Sequence, residues 1–279
     1  MKPYLRFLLP LLCTACAAQP ADIEELLRPE PEGSPVLDLS LEAKLARFDE
    51  RARLGIEAAE AAPTSATLAL EGSRALFQAA DLRMLAATFE TLEARPSTTV
   101  EDWIAADEAL SGTIRSEVLA LVQTGGALAE RALELSEDLP GTELYAAMHL
   151  SLEAWAVGST AALTRGLGRR VPRAIRASIE SGASLESAAP LRLLGRFLDR
   201  APWPLRDREE ARLLLERAVE EAPVVLNLLF LGDVLWGLDE GEAARRRWEE
   251  SLVAPSDWNT AEVSELNRDL ARRRLSAAN

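Results

Sequence analysis

The chain has 279 residues and a formal net charge of −14 at pH 7, with 48% hydrophobic, 27% charged and 5% aromatic residues. This composition is typical of a globular protein with one large domain or two modest ones, and it excludes collagen-like and low-complexity chains. The negative charge repels phosphate backbones, so nucleic acid is not an expected partner and any anion site has to be local.

The first residues have the pattern of an export signal. Lys2 and Arg6 precede the apolar run from Phe7 to Leu12, which is far shorter than the roughly 20 residues that a membrane-spanning helix needs. The following residues, 12–16, read Leu-Cys-Thr-Ala-Cys and resemble a bacterial lipobox, in which cleavage falls just before a lipid-bearing cysteine. We therefore predict a signal peptide over residues 1–15 and a lipid on Cys16.

One position departs from the lipobox pattern, because Cys13 stands where an aliphatic residue is usual. A plain secretory signal cleaved near Ala17 or Ala18 is the alternative. If Cys16 is acylated, the mature chain has neither a disulfide nor a free thiol. Ala17 is not the Asp that commonly retains lipoproteins in the inner membrane of Gram-negative bacteria, so we expect the periplasmic side of the outer membrane, with the protein anchored rather than spanning.

A tether is predicted between the signal and the folded body. Residues 28–36 hold three prolines and one glycine, a composition that favours an extended linker. A short helix over residues 23–27 precedes it. The predicted organisation is a tether over residues 16–36 and one helical domain over residues 37–279.

The body is predicted to be all-α. Apolar residues recur at spacings of three and four in one segment after another, and no segment shows strand-like alternation. Gly and Pro residues divide it into about ten helices, at Pro63, Pro96, Gly125-Gly126, Pro140-Gly141, Gly166 to Gly168, Gly182, Pro202 to Pro204, Pro223, Gly241 and Pro255. Helix starts are indicated by capping pairs at Thr98 with Glu101, Asp207 with Glu210, and Asn259 with Glu262. The run 224–231 is apolar almost all round and predicts a buried helix.

Two segments near the C-terminus have the same order of small, large and proline residues at similar steps, although the first has four extra residues, 202–205, between its two helices. The first has Leu194-Gly195, Ala211, Leu215, Ala218 and Pro223, and the second has Leu231-Gly232, Ala244, Trp248, Ser251 and Pro255. Both resemble the tetratricopeptide repeat, in which small residues let two antiparallel helices approach and a large residue fills the groove between them. We predict stacked antiparallel helix hairpins forming a superhelix, with the Leu-Gly pair of the first copy at a helix start.

Extension of the repeats upstream is a conjecture, with 67–95 pairing with 98–123 and 142–164 with 171–181. A helical bundle with two chance matches is the alternative.

The segment from Pro190 to Pro223, with Ala201-Pro202-Trp203-Pro204 between its helices, is similar to the TRAP-transporter-associated T component, a family of periplasmic lipoproteins with degenerate tetratricopeptide hairpins. The similarity covers roughly residues 142–275, and the lipobox agrees with it. The resemblance implies docking of an extracytoplasmic solute-binding protein and passage of an organic-acid ligand through an oligomer.

The candidate catalytic residues are few. His149 is the only histidine, and we expect a partly buried helix residue rather than a metal ligand or catalytic base. The sequence has no Gly-x-Ser-x-Gly motif and no phosphate-binding glycine loop followed by lysine. We therefore expect no enzyme activity and no metal or cofactor.

A basic island stands out from the acidic background. No acid occurs between Glu153 and Glu180, whereas five arginines do: Arg165, Arg169, Arg170, Arg173 and Arg176. Guanidinium groups bind carboxylates in bidentate fashion, so the island predicts a site for an organic anion or an acidic partner. The alternative is that these arginines pair with acids of neighbouring helices or stabilise helix ends.

Other arginines and tryptophans receive simpler interpretations. Residues 245–247 and 272–274 are runs of three arginines with acids nearby, and we expect them to be solvated. Trp236 and Trp248 are expected in the core. Trp203, between two prolines in a loop, could line a ligand mouth or an interface, and covering the end of a hairpin is an equal alternative.

These observations leave two functions. The first is a membrane-anchored helical-repeat adaptor that binds the solute-binding protein of a carboxylate transporter, with Arg165, Arg169, Arg170, Arg173 and Trp203 as candidate contact residues. The second is a general envelope scaffold of tetratricopeptide type without small-molecule binding. A homo-oligomer is compatible with both.

Overall fold

The structure is a computed structural model that describes residues 40–278, apart from 96–97, 137, 183 and 257–260, and gives only the backbone of 261–262. The predicted signal peptide, Cys16, the tether with its short helix, and the Asn259 cap lie outside the described residues.

The described residues form twelve α-helices and one 3-10 turn at Ala106–Ala109, and none of them is in a strand. The helices are α1 Leu41–Ala61, α2 Ala66–Glu93, α3 Val100–Ile104, α4 Gly112–Leu135, α5 Thr142–Val157, α6 Ser159–Thr164, α7 Leu167–Gly182, α8 Leu185–Arg200, α9 Arg208–Glu221, α10 Val225–Gly237, α11 Gly241–Ser251 and α12 Ala261–Ala277.

The helices pack as antiparallel pairs that stack on one another. Helix α1 packs on α2, α2 on α4, α4 on α5, and α5 on α7. The stack continues through α7 on α8, α8 on α9, α9 on α10, and α10 on α11. The predicted all-α class with stacked hairpins is therefore confirmed. No helix in the described part of the chain combines the length and the apolar character that crossing a membrane requires.

Two hairpins, α8 with α9 and α10 with α11, have the packing that the repeat spacing predicts. A Cβ atom on Gly195 would lie 2.7 Å from Leu215 Cγ, and one on Gly232 would lie 2.4 Å from Trp248 Nε1. Each glycine therefore provides the space into which the large residue of the facing helix packs. Ala211, Ala218, Ala244 and Ser251 are also fully buried, as the small positions of such hairpins require.

Several predicted boundaries differ from the structure. Gly125-Gly126 was expected to end a helix, but α4 continues through both glycines. The cap at Thr98 lies one residue further on, where Thr99 and Asp102 form a capping box, whereas Asp207 Oδ1 does accept from the Glu210 amide at 2.9 Å. Leu194-Gly195 lies inside α8 rather than at its start.

The conjectured upstream pairs are wrong in part. The segment 98–123 is not one helix, because α3, the 3-10 turn and the start of α4 occupy it. Helix α2 packs on both α1 and α4. The second pair has a counterpart in the packing of α5 on α7.

The C-terminal helix α12 closes the stack. Val263 is fully buried in a cluster with Phe48 and Leu76 of α1 and α2, and α12 also packs on α3, α10 and α11. Arg273 forms an ion pair with Glu93 and places its guanidinium 5.7 Å from the ring centre of Trp103. The last helix therefore joins the final hairpin to the first ones.

A buried ion pair fixes α12 against α10. Arg274 places Nε 2.8 Å from Asp233 Oδ1 and donates from Nη2 to Asp233 Oδ2 at 3.0 Å, and both side chains are almost completely buried. Arg196 lies 3.2 Å from the same carboxylate, and Trp248 Nε1 donates to it at 3.2 Å. Burial raises the pKa of Asp233, and the charges of Arg274 and Arg196 oppose that shift. The expectation that Arg274 is solvated is therefore wrong, because an acid on another helix pairs with it.

The glycine packing can be tested by stability measurement. We expect Gly232→Ala to lower the free energy of unfolding by about 1–3 kcal/mol, because the added methyl displaces Trp248. Gly112→Ala is the matched control, since a Cβ there meets no atom within 4 Å. Urea unfolding of both variants measures the difference, and equal stabilities would show that the hairpin packing is described wrongly.

Candidate binding surface

Helix α7 separates an apolar face from a basic one. Leu167, Val171, Ile175 and Ser178 are buried and follow one another at steps of four, four and three. This spacing places them on one side of the helix. The arginines at 169, 170, 173 and 176 fall between these positions and are exposed, so the buried face of α7 holds them at the surface.

The arginines of the island differ in their partners. Arg165 lies 3.8 Å from Glu153, and Arg176 lies 3.5 Å from Glu210, both with half-exposed guanidinium groups. Pairs of this length at the surface contribute little stability. Arg169, Arg170 and Arg173 have no side-chain ion pair or hydrogen bond to any residue in the described ranges, and the same holds for Arg246 on α11. The alternative that neighbouring acids neutralise the island therefore applies to two of its five arginines.

The loop between α8 and α9 packs against the start of α7. Leu205 Cδ1 would lie 3.2 Å, and Leu163 Cδ2 3.3 Å, from a Cβ atom on Gly168. The loop is held by hydrogen bonds from the Leu205 amide to the Pro202 carbonyl at 2.9 Å and from Arg206 Nε to the Ala201 carbonyl at 3.0 Å. The absence of a side chain at residue 168 thus lets the loop approach the basic helix.

The loop and the end of α6 expose one apolar side chain each beside the arginine helix. Trp203 is 88% exposed and lies two residues before Leu205. Leu163 of α6, which also lies close to Gly168, is 54% exposed. The arginine island and the Trp203 loop, which are separate in the sequence, are therefore neighbours in the structure.

A shallow groove of about 680 Å³ runs along this region. Its lining consists of Gly168, Arg169, Pro172, Arg173, Arg176, Ala177, Glu180 and Leu205. We call these residues, with Arg170 and Trp203, the arginine surface. Arg165 lies outside the lining. The groove combines three guanidinium groups with apolar contacts, so it suits a carboxylate attached to an apolar body.

The buried histidine has a structural environment. His149 is 1% exposed, so it is more deeply buried than expected. Its Nε2 donates to the Ser73 carbonyl at 3.1 Å and lies 3.0 Å from Ser73 Oγ. A Cβ atom on Gly125 would lie 2.1 Å from His149 Cε1, which explains why glycine occurs inside α4. Among the described residues, no group of His, Cys, Asp and Glu side chains could hold a metal ion.

A left-handed turn, which the sequence did not predict, lies at the start of α8. Glu186, Ser187 and Ala188 have φ angles of 47°, 57° and 60°, a conformation that L-residues other than glycine rarely adopt. The Glu186 carboxylate pairs with Arg74 and accepts from Tyr145 at 3.2 Å. Side chains from α2 and α5 therefore hold the turn, and no local sequence signal marks it.

Similarity to known proteins does not identify a family for this chain. No protein-family model matches the sequence, and no curated protein matches it. Among solved structures, the chain is similar to the crystal structure of the yeast Tom70, with 14% identity and a TM-score of 0.35, over 100% of this chain and 67% of that one. The class of the protein therefore follows from its own packing, which is that of a helical-repeat protein with tetratricopeptide-like hairpins.

The buried histidine predicts a pH dependence of stability. Burial lowers the pKa of His149 from 6.5 to about 4, so the unfolded chain takes up a proton before the folded chain does. The contribution of neutral His149 to the free energy of unfolding is fully present well above pH 6.5. It decreases as the pH drops from 6.5 towards 4. Between pH 8 and pH 5, the loss should be about 2 kcal/mol.

Urea unfolding at several pH values measures this loss. Because His149 is the only histidine, His149→Gln is the direct control and should flatten the profile over the same range. An unchanged slope in that variant would contradict the assignment.

Proposed function

We propose that this protein is a membrane-tethered adaptor that binds another protein through the arginine surface. The observation that carries the proposal is the set of three exposed guanidinium groups, those of Arg169, Arg170 and Arg173, that have no acidic partner among the described residues. The rest of the molecule is strongly acidic, so this surface attracts an acidic partner and orients it during encounter.

The packing favours a binding surface away from the face that α12 covers. Helix α12 covers residues of α1, α2, α3 and α10, so that face is occupied by the chain itself. The arginine surface lies on α7 and the loop 201–207, outside these contacts. Trp203 offers a large apolar area beside the charges, a combination typical of residues that dominate binding energy at interfaces.

The partner that we propose is the solute-binding protein of a TRAP-type carboxylate transporter. Support comes from the resemblance of residues 190–223 to the T component of such transporters and from the chemistry of the groove. Arginines beside apolar side chains suit an organic acid as well as an acidic protein surface. We further propose that Cys16 carries a lipid that holds the adaptor on the periplasmic side of the outer membrane.

The alternative is a general envelope scaffold without small-molecule binding. The tetratricopeptide-like hairpins favour it equally, because that packing serves protein binding of many kinds.

Capture from a periplasmic extract tests the proposed partner. The chain immobilised without its signal peptide should retain a TRAP-type solute-binding protein, identified by mass spectrometry. The triple variant Arg169→Ala, Arg170→Ala and Arg173→Ala should retain at least about tenfold less, because each lost charge contact contributes on the order of 1 kcal/mol.

The control removes the same charge elsewhere. Arg217→Ala, Arg246→Ala and Arg247→Ala are changes at exposed or partly exposed positions of α9 and α11 and should leave capture unchanged. Recovery of envelope-assembly proteins alone would favour the scaffold. Equal loss in both triple variants would show a general effect of charge and reject the arginine surface.

The lipid anchor has a separate test. Cys16→Ser should abolish labelling with a radioactive fatty acid and release the protein from the membrane fraction. Cys13→Ser is the control and should retain the label. Labelling that persists in the Cys16 variant would show attachment at another residue, whereas the absence of label from the unchanged chain would favour cleavage by an ordinary signal peptidase.

A further inference from the structure

We infer that the acidic segment 22–38 of the same chain occupies the groove of the arginine surface when no partner is bound. The inference rests on the proposed function, since it concerns the regulation of that binding surface. It identifies an occupant that is always present and that a partner has to displace.

The segment complements the groove in charge. Residues 22–38 contain one basic residue, Arg28, and six acids: Asp22, Glu24, Glu25, Glu30, Glu32 and Asp38. The groove presents Arg169, Arg173 and Arg176 within one stretch of helix. Ion pairs between the segment and the groove would neutralise Arg169 and Arg173, which have no other partner among the described residues.

The segment also has apolar side chains that could cover the exposed apolar side chains beside the groove. Ile23, Leu26 and Leu27 flank the acidic pair Glu24 and Glu25. Trp203 and Leu163 are exposed large apolar side chains on segments that pack beside the arginine helix. Covering them removes apolar area from water, which adds to the attraction between charges.

The length of the segment is sufficient to reach the groove. Helices α1, α2, α5 and α7 pack in succession, and three steps of 8–10 Å give roughly 25–30 Å between the first and the last. Helix α1 has 21 residues and is therefore about 32 Å long. The sixteen residues from Ser40 back to Glu24 span up to about 53 Å when extended, which exceeds the diagonal of these two distances.

Weak affinity is enough for such an occupant. A segment joined to the folded body has an effective concentration on the order of millimolar, so contacts that would not hold a separate peptide still fill the groove. If the segment is bound nine-tenths of the time, the apparent affinity for a partner falls about tenfold. The tether therefore sets the threshold at which a partner binds.

Photochemical cross-linking tests the occupant without any partner. The chain without residues 1–15, and with Cys16→Ser, carries p-benzoylphenylalanine in place of Trp203. Illumination of the monomer should give an intramolecular cross-link that mass spectrometry maps to residues 22–38. The combined change Glu24→Gln, Glu25→Gln, Glu30→Gln and Glu32→Gln should lower the yield at least about fivefold, as should 1 M salt, which shortens the screening length to about 3 Å.

The matched control carries the photoreactive group at Val253, which is as exposed as Trp203, at 88%. It should give no cross-link to residues 22–38. Cross-links between two chains would identify a second copy as the occupant, and an unchanged yield in the glutamine variant would reject docking by charge. Either result overturns the inference and leaves the capture experiment unaffected, because no partner is present here.

Discussion

The buried contact between Asp233 and Arg274 is the interaction on which the arrangement of the helices depends. It joins α10 to α12 in a site from which water is excluded, and Arg196 of α8 and Trp248 of α11 contact the same carboxylate. A charge left unpaired in such a site costs about 3–5 kcal/mol. The last helix is therefore fixed in orientation, and its other face reaches the first hairpin through Val263 and Arg273. This interaction and the contacts of Val263 and Arg273 together close the stack.

The sequence predicts the hairpins well, since their signals are local. Gly232 and Trp248 are sixteen residues apart and lie in the two helices of one hairpin, so spacing alone predicts their contact. Gly125 and Arg274 show the limit of that reasoning. The glycine accommodates His149 of another helix, and the arginine pairs with Asp233, which lies 41 residues before it. A glycine inside a helix looks like a helix end, and an arginine in a charged run looks solvated, unless the contacting helix is known.

The arginine island was predictable because the absence of acids between Glu153 and Glu180 is visible in the sequence. The groove was not, since it depends on how closely the loop approaches Gly168. The same helix that supplies the charges also buries Val171 and Ile175, so Arg169, Arg170 and Arg173 stay at the surface, although Arg176 reaches Glu210 of α9. The buried face of this helix thus keeps a local group of positive charges on a protein of net charge −14.

The left-handed turn at Glu186 has a mechanical consequence. Each such residue costs about 1–2 kcal/mol relative to the right-handed form, and Arg74, Tyr145 and Asn227 hold the turn through hydrogen bonds. Helix α8 begins at this turn and ends at the loop that carries Trp203. The turn is therefore held against its own backbone preference, and loss of the contacts to Glu186 would favour its return to the right-handed form at the start of α8.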